Sequence, residues 1–268
     1  MTTKILFRAS LAEEHELTVA QRFFSVIHDR ANMQTGDLII PRYSVLPYPE
    51  ELERDAAILG AKLINTTKQH RYVADLQNWY YDFEDYTPKT WFRLEEIEGD
   101  GPFVLKGATN SRKANWRTMM FAPTRADVPR ILDRLLDDPL ISSQGIYARQ
   151  FEPFTQFELH GLNGLPVTNE WRFFILDREI LARGFYWSEH FEEVFENTDQ
   201  LGAAYDGADF FVKKTIAPRL NKIRFVVADV AEREDGTWRL VELNDGCQSG
   251  LSCVDPEVLY SELKTRFT

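Results

Sequence analysis

Apolar residues along this chain recur in short strand-like runs separated by stretches with helical spacing. Residues 4–8 (Lys-Ile-Leu-Phe-Arg) read as a first strand. From Glu13 to Asp29, Leu17, Ala20, Phe24 and Ile27 recur near helical spacing and predict a helix. A second strand begins over Asp37 to Ile40, and Pro41, Pro47 and Pro49 prevent its regular extension. Glu50 to Leu59 predicts a helix that Gly60 stops, and Ala61 to Asn65 a short strand. Strand alternating with helix predicts a small α/β layer with a parallel core.

The pattern then changes. Trp79, Tyr80, Tyr81, Phe83, Tyr86, Trp91 and Phe92 make an aromatic linker that packs one layer on another, with a boundary within residues 75–92. We divide the chain there, at 1–85 and 86–268. Beyond it, Phe103 to Lys106 reads as a strand, 107–118 as a polar flexible loop, and 127–138 as an amphipathic helix carrying Val128, Ile131, Leu132 and Leu135. Ile146 to Phe151 is another strand, 171–187 a hairpin, 189–222 mostly helix and loop, and 224–245 a second hairpin.

That last hairpin carries the strongest chemical signal. Two runs of β-formers flank Asp235-Gly236, and a two-residue loop there pairs Glu234 with Thr237 and, counting outward, Asp229 with Glu242. Carboxylates directly opposite on a ladder repel one another. Asn244, two residues from Glu242, joins them on the same face. Three oxygen ligands together suit a hard divalent cation, with Mg2+ holding a nucleotide's phosphates as the natural candidate. A solvated strand face is the plainer alternative.

The hairpin at 171–187 follows the same logic. With Asp177-Arg178 as its loop, Arg172 pairs with Arg183, and two guanidinium forks side by side suit a phosphate or carboxylate between them. Two exposed arginines, one paired with Glu170, is the other possibility. Lys106 ends a strand before the small-residue loop 107–113, which closes at Lys113. A lysine so placed can reach phosphate oxygens, although taken alone it reads as a solvated strand end. The loop has one glycine and is no Walker A motif. Gln150, Phe151 and Glu152 end a strand at Pro153 and could meet an adenine edge, or simply end the strand.

Composition narrows the field. The chain has 268 residues, 44% of them hydrophobic, which suits one large domain or two modest ones. Net charge is −11, from 31 basic and 42 acidic residues, a poor balance for holding long nucleic acid by its phosphates. Cys247 and Cys253 form no zinc or disulfide pattern, and the five histidines are scattered. No signal peptide or membrane-length apolar segment is evident, so the expectation is a soluble, cytoplasmic protein.

Together the strand-borne Lys106, the Gln150-Phe151-Glu152 strand end, the Glu170-Trp171-Arg172 hairpin, Asp229 and the Glu242-Leu243-Asn244 run resemble the ATP-grasp superfamily. The likeness is closest to a phage- and bacteria-associated clade named for two arginines and one lysine, and it covers residues 88–255. It implies an α+β ATP-grasp fold, antiparallel sheets with helices, preceded by a small α/β domain. It further implies that Lys106 binds ATP phosphates, that Gln150 to Glu152 hold adenine, that Arg172 and Arg183 are the paired arginines, and that Asp229, Glu242 and Asn244 hold Mg2+. Lys113 and Glu170 are further candidates for contact with the nucleotide, and Lys89 a candidate for the earlier ATP-binding lysine of many members.

The implied activity is an ATP- and Mg2+-dependent carboxylate–amine ligase working through an acyl phosphate, on an amino acid, peptide or protein end. Lys106, Arg172 and Arg183 would be its catalytic cations. The alternatives are a nucleotide-binding module without turnover, or a nucleotidyltransferase or nucleic-acid ligase. The absent Lys-x-Asp-Gly motif and the acidic balance weigh against nucleotidyl chemistry.

Overall fold

The computed structural model describes residues 2–8, 13–46, 48–160, 164–190, 192, 194 and 201–267. Its N-terminal layer is a parallel sheet of β1 (Thr3–Leu6), β2 (Ser25–Ile27), β3 (Leu38–Pro41) and β4 (Lys62–Leu63), in the order β2-β1-β3-β4. Helices α1 (Glu14–Phe23) and α2 (Pro49–Ile58) connect the strands. The helix expected to reach Asp29 stops at Phe23. Phe24 is extended (φ −134°, ψ 156°), and the next three residues, two of them β-branched, pair with β1 instead.

Two short helices that the sequence did not announce follow β4, and the second runs into the expected aromatic linker. A capping box between Thr66 and Gln69 starts α3 (Thr67–Ala74), and the Asp75 side chain caps α4 (Leu76–Tyr80). They deliver Val73, Leu76 and Trp79 to the main apolar cluster, which Phe83, just past α4, joins. Burying each such side chain stabilises the fold by roughly 1.5–3 kcal/mol.

The central sheet is antiparallel. It consists of β11 (Glu170–Leu176), β12 (Glu179–Phe185), β13 (Phe225–Glu232) and β14 (Trp238–Asp245), ordered β12-β11-β13-β14. Both faces are covered. Phe173, Ile175, Ala228, Val230 and Leu240 pack with α4 and with α6 (Leu201–Phe211). Phe174, Leu176, Phe225 and Val227 pack with Ile5 and Ile40 of the N-terminal layer and with Leu259 and Tyr260 of α7 (Pro256–Phe267).

A second antiparallel sheet, β5-β8-β6-β7, is built from β5 (Thr90–Trp91), β6 (Phe103–Gly107), β7 (Phe121–Ala122) and β8 (Ile146–Gln150). Ile131 and Leu135 of α5 (Val128–Leu136) back it, packing with Phe103, Leu105 and Ala148. The loop expected over 107–118 contains a tight 3-10 turn at Lys113–Asn115 and a wide π-helical turn at Trp116–Met120, with Trp116 stacked on Phe121. A two-stranded ribbon, β9 (Gln156–His160) and β10 (Pro166–Thr168), leads into β11. No helix among the described residues is long and apolar enough to cross a membrane.

Both hairpins depart from simple outward counting. In the second, Gly236 (φ +79°) closes a three-residue loop in which its N–H donates to the Arg233 carbonyl, so Glu232 pairs with Trp238. That register is one residue away from the expected one. A bulge at Val241, between the Val230–Leu240 and Asp229–Glu242 pairs, restores it. In the first hairpin, Asp177 (φ +47°) and Arg178 (φ +72°) form the expected two-residue loop. A bulge at Leu181 then shifts the register, and Arg172 pairs with Gly184 rather than with Arg183.

Candidate active site

A cleft opens between the two antiparallel sheets. Six residues singled out as nucleotide contacts line it together: Lys106, Lys113, Gln150, Phe151, Glu152 and Glu170. Glu242 lines it as well and also borders a second, polar cavity, where it meets Arg172 and Asn244.

Strand alternation sets Lys106. Leu105 enters the core under α5, and Lys106 turns the other way into the cleft. Its Nζ lies 2.5 Å from Glu242 Oε1, with the lysine side chain 9% exposed and the glutamate 24%. Burial acts to raise the Glu242 carboxyl, but Lys106 and Lys113 overcome it, aided by a hydrogen bond from Asn244, and hold it at about 2. Lys113 donates to the Tyr186 hydroxyl (2.6 Å) and sits 4.2 Å over the same ring. The guanidinium of Arg172 lies 4.9 Å from that ring's centroid, so Tyr186 contacts both cations.

Asp229 stands opposite Glu242 as expected, but it is 1% exposed and both its oxygens accept from the Arg172 fork, at 2.8 and 2.9 Å. Among the described residues, no group of three or more His, Cys, Asp or Glu side chains could hold a metal. Mg2+ needs only one or two carboxylates when phosphates and water complete its shell. Glu242 and Asn244, both oxygen donors and both bordering the polar cavity, fit that requirement.

Glu170 is buried, and its Oε1 has no hydrogen-bond partner among the described residues. Burial pushes its carboxyl up to about 7; Lys113 opposes that and Asp229 reinforces it. The Gln150 and Phe151 N–H groups are already engaged, donating to the carbonyls of Lys89 and Pro102. The Phe151 ring packs against Phe121 and Trp116, and the Glu152 carboxylate is ion-paired with Arg233 and Arg239.

Two expectations need correction. Arg183 does not converge with Arg172. The Leu181 bulge sets it opposite Phe173, on the other face of the sheet, where it binds Asp209 and Tyr205 of α6 in a separate groove. Lys89 is exposed and pairs with Glu98, outside the cleft. Sequence reasoning missed Arg149, a buried arginine inside β8 that lines the cleft. It donates to the carbonyl of Val241, the bulged residue, and to Thr87 Oγ1, both at 2.7 Å. Burial lowers its guanidinium to about 10. The signal was an arginine within an otherwise apolar strand centre. Burial, with Asp245 adding to it, pushes the Cys247 thiol well up, as suits a packing residue.

Two antiparallel sheets enclosing a cleft with a strand-borne lysine and an acidic strand pair define an ATP-grasp protein. The chain belongs to that superfamily: residues 94–263 match the ATP-grasp domain of family 3 in the clade named for two arginines and one lysine. No curated protein matches it in sequence. Among solved structures it is similar to the D-cycloserine synthetase DcsG (TM-score 0.59, 11% identity, covering 99% of this chain and 100% of that one). It is also similar to the ATP-grasp ligase PsnB in complex with a minimal precursor (0.55, 12%, 100% of both chains). A RimK domain ATP-grasp protein from Sphaerobacter thermophilus aligns with a TM-score of 0.52 and 14% identity, over 97% of this chain and 98% of its own.

Proposed function

We propose that this protein is an ATP-dependent ligase that joins a carboxylate to an amine through an acyl phosphate, with residues 1–85 as a small α/β domain preceding an ATP-grasp domain over 86–268. One observation carries the proposal: Glu242 borders both the cleft that holds Lys106, Lys113 and Glu170 and the polar cavity that holds Arg172 and Asn244. A phosphoryl group passing from nucleotide to carboxylate must cross such a junction. PsnB has been captured with Mg and ADP, which supports the same cofactors here.

In this assignment the adenine lies along the Phe151–Trp116 wall, and Lys106 and Lys113 meet the phosphates. Mg2+, held by Glu242 and Asn244 with the phosphates, would supply charge neutralisation at the transferring group; Asp229 joins them only where the Arg172 fork releases it. The substrate carboxylate attacks the γ-phosphorus, ADP leaves, and the amine nitrogen then displaces phosphate from the acyl carbon. Arg172, fixed by Asp229 and by the Gly250 carbonyl, orients the carboxylate.

The test is the fate of α-labelled ATP incubated with Mg2+ and mixed amino acids. ADP and phosphate are expected. AMP, or an adenylylated lysine, would overturn the assignment in favour of nucleotidyl transfer. Nucleotide binding with no turnover across a broad acceptor panel would favour a binding module.

A further inference from the structure

The polar cavity beyond Glu242 has a charge balance that points to its occupant. Ser44, His70 and Ala74, from the N-terminal layer and its following helix, line it together with Asn244, Asp245 and Gln248, whose Nε2 lies 2.8 Å from His70 Nδ1, and Arg172 and Glu242 line it as well. Arg172 is neutralised by Asp229, and Glu242 by Lys106. Asp245 has no lysine or arginine partner among the described residues. Its oxygens accept from Asn65 Nδ2 and the Cys247 N–H, both at 2.8 Å, and lie 3.1 Å from His70 Nδ1.

A second observation is independent of that balance. His70 is 4% exposed, and its Nε2 is buried with no hydrogen-bond partner among the described residues. A buried nitrogen without a partner is costly unless a ligand or water completes it. Among the lining side chains only Leu46 and Ala74 are apolar, and no phenylalanine, tyrosine or tryptophan takes part.

We propose, on the basis of the ligase reading above, that this cavity is the amine pocket, and that it takes a small hydrophilic amine arriving as its ammonium. The uncompensated Asp245 carboxylate favours the cation, and the polar lining disfavours a bulky apolar body. In the reaction the nitrogen forms the new C–N bond and the acyl C–O bond to phosphate breaks. Phosphate leaves with the electron pair, and the ammonium's two surplus protons pass to solvent.

The experiment uses the full chain with a non-hydrolysable ATP analogue and Mg2+. Saturation-transfer NMR follows ethanolamine, ethylene glycol and benzylamine, while calorimetry follows the nucleotide. Ethanolamine should bind at least about tenfold more tightly than ethylene glycol, the difference one charge-assisted hydrogen bond makes, and more tightly than benzylamine. Ala74→Trp, and separately the exposed Ser44→Trp, should abolish ethanolamine binding and leave nucleotide affinity within about twofold. Nucleotide binding to wild type without ethanolamine binding overturns this inference alone, as does ethanolamine binding that survives both fillings or is matched by either comparison probe. Failure of the nucleotide itself to bind overturns the ligase reading.

Discussion

Asp229 and Glu242 face each other in one ladder pair, yet each is bound to a different cation: Asp229 to Arg172 and Glu242 to Lys106. The repulsion expected between two opposed carboxylates is therefore absorbed within the chain before any metal arrives. The two ion pairs are not equivalent. Asp229 is closed off behind a bidentate fork, whereas the Glu242 side chain remains 24% exposed at the junction of cleft and cavity. Glu242 is the carboxylate available for exchange between a lysine and a cation.

Glu242→Gln should abolish Mg2+-dependent ADP formation while the far-ultraviolet circular dichroism stays native. Loss of the partly exposed pair with Lys106 should cost about 1–3 kcal/mol in a urea titration. A Gln variant that retains wild-type turnover would remove Glu242 from the site.

Arg172→Lys and Arg183→Lys should separate cleanly. Lysine cannot reproduce the fork that holds both Asp229 oxygens, so the first change should lower turnover by at least about tenfold and stability by about 1–3 kcal/mol. Arg183 contacts α6 on the opposite face. Its replacement should alter thermal stability but leave nucleotide affinity and turnover unchanged. Equal losses of turnover in the two variants would restore the paired-arginine arrangement that the bulge has broken.

That bulge shows what the sequence could and could not reveal. Asp177-Arg178 was legible as a loop, and alternation made the flanking strands legible, but no residue type announces an extra residue at Leu181. One extra residue turns every later side chain to the other face, and Arg183 went with it. The opposite accident protected the Asp229–Glu242 pair, where a three-residue loop and the Val241 bulge cancel. Locally, Lys106 and the Gln150 to Glu152 segment read equally as ordinary strand ends, and the order of motifs shared with the superfamily is what singled out the six cleft residues. Arg149 and the cavity beside His70 depend on contacts between distant segments, which spacing along one chain does not carry.

Glu170 gives the apo protein a pH signature. Its carboxyl is raised by burial from an ordinary 4.5 to about 7, so the folded chain holds a proton that the unfolded chain releases. Stability from this group is full below about pH 4.5 and is lost as pH rises through about 7. Glu170→Gln keeps the site neutral. The variant's stability relative to wild type should therefore increase between about pH 5 and about pH 8, measured by urea midpoints without nucleotide. A gap that is flat or closes over that range would place the raised carboxyl elsewhere.

Arg149 supplies the last prediction, because it ties the two walls of the cleft together. Its guanidinium spans from β8, beside the Gln150–Glu152 segment, to the carbonyl of Val241, the residue whose bulge returns Glu242 to register with Asp229. Arg149→Met keeps the apolar stem but leaves that carbonyl and Thr87 Oγ1 without their donor, at a cost of about 1–3 kcal/mol. It should also loosen the bulge, so that nucleotide affinity falls together with stability. Thr87→Ala removes the second bond and the one that Thr87 Oγ1 donates to the Leu240 carbonyl, but spares the bond from Arg149 to Val241, and should lower stability alone. If Arg149→Met weakens folding without weakening nucleotide binding, the bulge is held by the ladder itself and Arg149 serves only packing.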